Sequence, residues 1–239
     1  MKKQYDYIVI GAGSGGVRFA RLMASHGKKV CIVEKNRIGG TCVIRGCIPK
    51  KLYVYASNFS DHLTDAEIFG WSVAKSKHNW KNLVEKKNRE IARLNKIYIN
   101  NLNKAGVDII HDHGSFVSPN SLLLKKKRKV IYSKKIIIAT GSVPNYPNIP
   151  GSEYGISSDI FFELKKIPKK ISIVGSGYIA LEFAFLLKNL NYDVDLIFRK
   201  QTILNEFDKD IGKRVLNYAI KKGIKAVSYT HLRAHETDR

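Results

Sequence analysis

The chain has 239 residues, 44% of them hydrophobic and 26% charged, with a net charge of +22. That length suits one or two domains able to bury a core without cross-links, and the composition excludes wholesale disorder. No apolar stretch reaches the roughly 18 residues of a membrane helix, so no membrane partner is expected. Three cysteines cannot build a disulfide scaffold, which points to a reducing, cytoplasmic setting in which any cysteine pair does redox chemistry.

Residues 5–10 read as a buried strand. The basic start resembles a signal peptide, but it runs straight into Asp6 and a glycine cluster, which fits strand and turn instead. After Gly11-Ala12-Gly13-Ser14-Gly15-Gly16 comes a helical stretch over 17–25, stopped near Gly27, and a second apolar run from Val30 to Val33 ending at Glu34. This is a βαβ unit. The spacing of Leu83, Ile91, Leu94, Tyr98 and Leu102 predicts one long helix over 79–104. Short strands are expected between 107 and 138, and Pro144, Pro147, Pro150 and Gly151 mark a linker. A second βαβ unit follows: strand 171–174, the turn Gly175-Ser176-Gly177, a helix to about 189 and strand 194–198, with an amphipathic helix over 209–222.

The excess charge is mostly lysine, mixed with many Asn, Ile and Tyr. These residues share AT-rich codons, so base composition accounts for the charge, and no nucleic-acid partner is expected although a basic nucleic-acid-binding protein is the rival class. The densest block, Lys125-Lys126-Lys127-Arg128-Lys129, lies between apolar runs and reads as a solvated hairpin crossing. His111 and His113 fall near a strand end.

Gly11-x-Gly13-x-x-Gly16, between strand and helix, is a dinucleotide-binding turn. The first glycine permits the bend, the second lets a pyrophosphate approach the backbone, with Ser14 and Gly15 beside it, and the third lets helix and strand pack. Glu34, 18 residues beyond Gly16, is placed to accept hydrogen bonds from ribose hydroxyls and would repel a 2′-phosphate. The first site therefore suits FAD or NAD. Gly39-Gly40-Thr41-Cys42 and Cys47-Ile48-Pro49-Lys50 follow directly. One turn of chain could bring the two cysteines within disulfide reach, and two buried cysteines or half of a metal site have the same spacing. No second cysteine pair completes a zinc site, so no metal is expected. Cys31 reads as a small buried hydrophobe.

Jointly, the glycine turn, Gly-Gly-Thr-Cys-x4-Cys-x-Pro-Lys-Lys, Ala139-Thr140-Gly141 and Gly-x-Gly-Tyr-Ile-Ala-x-Glu resemble the class I flavoprotein disulfide reductases, and the glutathione reductases most closely. The resemblance implies an α/β fold with two Rossmann-like units, the second incomplete: a FAD-binding domain over 1–143 and the first part of an NADP-binding domain over 144–226. It implies electron flow from NADPH through FAD to a Cys42–Cys47 disulfide and on to glutathione disulfide. Cys42 would be the interchange thiol and Cys47 the thiol beside the flavin, with Lys50 near the flavin and paired to Glu182. Gly40, Thr41, Gly114, Ala139, Thr140 and Gly141 match flavin contacts; Ser14, Arg21 and Tyr98 match glutathione contacts. Tyr178 matches the residue covering the nicotinamide pocket, and Gly175, Gly177, Ile179 and Ala180 the second cofactor turn. The acidic ribose position is Phe198, so Arg199 and Lys200 would take a 2′-phosphate. Asn205 stands where these enzymes usually carry a second arginine. Dihydrolipoamide dehydrogenases and thioredoxin reductases share the frame, but Pro49-Lys50-Lys51 and the short step from Glu34 to Gly39 fit them less well.

The resembling enzymes are homodimers that run well past residue 226 and complete their active site there, so a truncated, inactive fragment of a homodimeric parent is expected. Residues 227–237 resemble a translated library adapter, and 227–239 are expected to be a non-native tail. His231 and His235 within it are accordingly not read as a metal pair.

Overall fold

The computed structural model describes residues 4–74, 77–200 and 202–228. His231, His235 and the rest of the expected tail after Ser228 lie outside the described residues. The chain divides into two compact units, one of residues 1–50 and 85–145, the other of 51–84 and 146–239. The segment 51–84, read from sequence with the first domain, thus groups with the second half of the chain.

The first unit is built on strand β1 (Gln4–Ile10), helix α1 (Ser14–Ser25) and strand β2 (Val30–Glu34). β1 pairs in parallel with β2, and β2 with β3 (Asp108–His111). On its other side β1 pairs in parallel with the second half of β6 (Lys129–Ile138). The first half of β6 pairs antiparallel with β5 (Ser121–Leu124), and β5 with β4 (Gly114–Ser118), giving the order β3-β2-β1-β6-β5-β4. Alternation along the central strands fills both faces. Val9, Val30 and Ile32 pack with Val17, Ala20 and Leu102, whereas Ile8, Ile10, Cys31 and Val33 pack with Leu122, Leu124 and Ile131. This is the pattern of a sheet covered on both sides. The long helix α4 (Trp80–Lys104) forms as its periodicity requires.

The turn between β5 and β6 is the lysine block, so the solvated crossing expected there is observed. A buried carboxylate holds it. Asp112 accepts from the backbone N–H groups of His113 (2.7 Å), Lys126 (2.8 Å) and Lys127 (3.0 Å). Burial by itself would raise the Asp112 pKa; those N–H groups outweigh it and hold the carboxyl below its ordinary range.

The helix α3 (Cys47–Ile68) begins in the first unit and continues into the second. In the second unit β7 (Lys170–Val174), β8 (Asp193–Phe198) and β9 (Lys225–Ser228) form a parallel sheet in that order. α6 (Tyr178–Asn189) follows β7, and α7 (Lys209–Lys221) leads to β9. Asp208 caps α7 by accepting from the backbone of Asp210 (2.8 Å) and Ile211 (3.3 Å). β9 runs two residues past the expected junction at Ala226, because Val227 and Ser228 continue the ladder opposite Ile197 and Phe198. The core holds an edge-to-face cluster of Tyr53, Trp80, Phe161, Phe162 and Phe183. The described residues also form two short helices, α2 (Gly40–Arg45) and α5 (Ser158–Phe161), and a 3₁₀ turn at Ser152–Tyr154.

Candidate redox and dinucleotide-binding sites

α1 starts three residues earlier than its apolar pattern suggests. Gly13 is its N-cap, so Ser14, Gly15 and Gly16 already form the first helical turn. Gly11 has φ +101°, and a Cβ there would run into the Ala139 carbonyl and crowd Thr140 Cα at 3.2 Å. Only glycine fits both demands. The Ala139 N–H donates to the Ile10 carbonyl (2.9 Å), which brings the Ala139-Thr140-Gly141 segment against the first turn. A Cβ on Gly16 would strike the Gly11 carbonyl, which is how helix and strand pack so closely. At Gly15, by contrast, a Cβ would meet nothing, leaving the backbone at the helix N-terminus open to a ligand.

Glu34 closes β2 and braces this turn. Its two carboxylate oxygens accept from the N–H groups of Ala12 (2.7 Å) and Asn36 (2.7 Å). The sequence assigned it only a ribose; here it also fixes the loop that a ribose would meet. Asp112 donates its N–H to the Glu34 carbonyl (3.0 Å), placing Gly114, two residues on, at the same end of the sheet. Gly39 donates to the Ala12 carbonyl (2.8 Å), and Gly40, with φ +61°, sits on Gly13, where a Cβ would come within 2.5 Å of the Gly13 Cα. These contacts seat the start of α2 on the glycine turn.

The cysteines occupy the next corner. Cys42 lies in α2, and Cys47 is the first residue of α3, with Gly46 between the helices. A Cβ on Gly46 would approach the Thr41 carbonyl to 2.8 Å, so a side chain there would open the corner. Both cysteines are free thiols, Cys42 half-buried and Cys47 exposed. The Cys42 thiol makes hydrogen-bonding contacts with the Cys47 side chain, the Cys47 backbone N–H and the Ser14 hydroxyl. Burial, and then the neighbouring Cys47 side chain, push the Cys42 pKa up, while Ser14 and the Cys47 N–H pull it down. The two sulfurs thus stand together, within the same unit as the phosphate-type turn. Lys50, one turn into α3, donates its backbone N–H to the Gly46 carbonyl (3.0 Å).

A cleft of about 530 Å³ opens between α1 and α4, also within the first unit. Ser14, Arg18, Arg21 and Ser25 line it from α1, and Tyr98 and Asn101 from α4. The structure therefore brings Ser14, Arg21 and Tyr98 into one depression, with Ser14 joining it to Cys42. Sequence reasoning missed Arg18 and Asn101. The i, i+3 spacing of Arg18 and Arg21 was a readable signal, but the pairing of α1 with α4 was not.

The second glycine turn lies in the second unit. Gly175, at φ +148°, donates to the Ile197 carbonyl (2.9 Å), and Gly177 caps α6 with no atom near its Cβ position. Tyr178 and Ile179 are exposed on the first turn of α6, so Tyr178 is no core aromatic, whereas Ala180 is buried. Glu182 is half-buried one turn further on. Phe198 ends β8 with its ring in the core, and Arg199 and Lys200 follow it exposed. Asn205 donates to the Thr202 carbonyl (3.2 Å) and reaches the Ser176 hydroxyl (3.5 Å), so it lies on the rim of the glycine turn.

Residues 5–239 match the family model described as pyridine nucleotide-disulphide oxidoreductase. The chain belongs to that family. It is 42% identical over 227 residues to a glutathione reductase of Nostoc sp., covering 95% of this chain and 49% of the relative. It is 42% identical over 221 residues to the chloroplastic/mitochondrial glutathione reductase of Pisum sativum, covering 87% and 40%. Among solved structures, the Cu(II) complex of the HOCl-induced flavoprotein disulfide reductase RclA from Escherichia coli superposes with a TM-score of 0.82 at 26% identity, over 96% of this chain and 51% of that one. The chain spans about half the length of the curated relatives it matches.

Proposed function

We propose that this chain is the redox half of a glutathione-disulfide reductase, taking electrons from NADPH by way of FAD, and that the whole protein works as a homodimer in a reducing, cytoplasmic compartment. The observation that carries the reading is the contact of Cys42 with Cys47 on a corner seated directly on the first glycine turn. FAD fits that turn: the backbone at Gly15 is open, and Glu34 stands at the adjoining strand end to meet a ribose. When bound, FAD would pass electron pairs between the nicotinamide cofactor and the sulfur pair. Arg199 and Lys200, with no carboxylate at Phe198, support a nicotinamide cofactor bearing a 2′-phosphate. Asn205 removes one such contact, and NADPH preference then rests on the two neighbouring cations.

Cys42 and Cys47 do the sulfur chemistry. The Cys42 sulfur attacks a disulfide sulfur of the substrate, the S–S bond breaks, and one glutathione leaves as its thiol. Cys47 then attacks the Cys42 sulfur of the mixed disulfide and releases the second. Two thiols of the protein are oxidised and one disulfide is reduced to two thiols. The Cys47 N–H and the Ser14 hydroxyl stabilise the attacking thiolate. The test is stoichiometric. The dithiol chain, mixed with glutathione disulfide, is expected to form one Cys42–Cys47 bond and two glutathione thiols, at a rate that climbs with pH above the ordinary thiol value of about 8.5. The Cys47→Ser variant is expected to stop at a mixed disulfide on Cys42, visible by mass spectrometry. A wild-type chain whose thiols survive excess glutathione disulfide at pH 9 defeats the reading.

A further inference from the structure

Lys125, Lys126, Lys127, Arg128 and Lys129 are all exposed, and among the described residues none of them forms an ion pair. Five like charges in a row repel one another, and an unheld turn would splay to separate them. This turn is held. Asp112 is wholly buried and spends its carboxylate on the backbone N–H groups of Lys126 and Lys127, and Lys125 donates its own N–H to the His113 carbonyl (3.0 Å). The grip is on the main chain, so the cationic heads are left to solvent. The place of the turn in the sheet matters as much. Gly11 of the first glycine turn donates to the Val33 carbonyl (2.8 Å), Asp112 donates to the carbonyl of the next residue, Glu34 (3.0 Å), and Asp112 in turn holds Lys126 (2.8 Å). Three hydrogen bonds thus lead from the glycine turn to the lysine turn. They lie at the carboxyl ends of β1, β2 and β3, the end at which a parallel sheet takes its ligands. Lys35 and Arg37, exposed just after Glu34, add to the positive charge there. Positive potential beside a phosphate-type turn attracts a ligand that carries a pyrophosphate.

We propose that the lysine turn is an electrostatic funnel for the flavin dinucleotide, speeding its capture by the first glycine turn without holding it afterwards. The proposal rests on the FAD reading of that turn and adds the route by which the anionic cofactor arrives. Charges at the rim of a site act before contact is made. They alter association and its salt dependence and leave dissociation alone.

The test mixes FAD with the full-length chain, freed of flavin, in a stopped-flow fluorimeter. Quenching of the flavin fluorescence gives the association rate, and its recovery on dilution gives the dissociation rate. The ionic strength is about 10 mM, where the Debye length is near 30 Å. Lys125→Gln, Lys126→Gln and Lys127→Gln combined are expected to slow association about tenfold, the low end of what steering supplies, with dissociation unchanged. The fold is expected to survive, because Asp112 grips main-chain N–H groups that glutamine keeps. At about 0.15 M salt, with the Debye length near 8 Å, the gap should narrow. Lys86→Gln, Lys96→Gln and Lys104→Gln combined remove the same charge from exposed positions of α4 and are expected to slow association far less. Equal slowing by the two sets makes net charge the cause and overturns the assignment. Unchanged association or faster dissociation in the turn variant overturns it too, and all three outcomes leave FAD binding standing. A wild-type chain that never quenches the flavin removes the FAD reading with it.

Discussion

Gly11 carries the sharpest single-residue demand in the first unit. Its φ of +101° and the Ala139 carbonyl against it leave no room for a methyl group. Gly11→Ala is expected to cost about 1–3 kcal/mol in backbone strain, seen as a lower melting midpoint, and to weaken FAD binding in a fluorescence titration. A variant that melts and binds like the parent would mean the turn can reshape freely. The same glycines were readable in the sequence because their spacing is local. So were Glu34 and the cysteine pair. The place of Arg18 in the cleft was not, because it depends on the pairing of α1 with α4, whose first cleft residue, Tyr98, lies 80 positions beyond it.

At the scale of elements, the lysine-rich turn between β5 and β6 depends on the Asp112 carboxylate. Its pKa is depressed in the fold, so the stability it adds is complete above the ordinary carboxylate value of about 3.9 and is lost as the pH falls through the lower native value. Asp112→Asn is therefore expected to lower the melting midpoint at pH 7, with the gap to the parent closing as both are taken to acid. A gap that widens in acid would contradict the assignment. The strands and the two βαβ units were legible because alternation and glycine turns are short-range signals. α3 was not: Pro49 sits in its first turn and reads as a breaker, yet proline is tolerated there because that N–H lacks a helical partner in any case. Its buried face, with Tyr53 at the centre, is matched to Trp80 and Phe161, partners that no window of sequence contains.

For the molecule as a whole, charge is the dominant long-range term. With a net charge of +22, the folded chain repels itself, and screening relieves this. Raising sodium chloride from low millimolar to about 0.15 M, where the Debye length is near 8 Å, is expected to raise the melting midpoint at neutral pH; a falling midpoint would show that local ion pairs such as Lys134–Asp6 (2.7 Å) outweigh the repulsion. Ser14 has a wider consequence. It belongs at once to the first turn of α1, to the rim of the cleft and to the hydrogen-bonding shell of Cys42. Under the proposed function, coenzyme grip, substrate fit and thiol acidity would share one hydroxyl, and directed evolution that retunes any one of the three through position 14 would drag the other two with it.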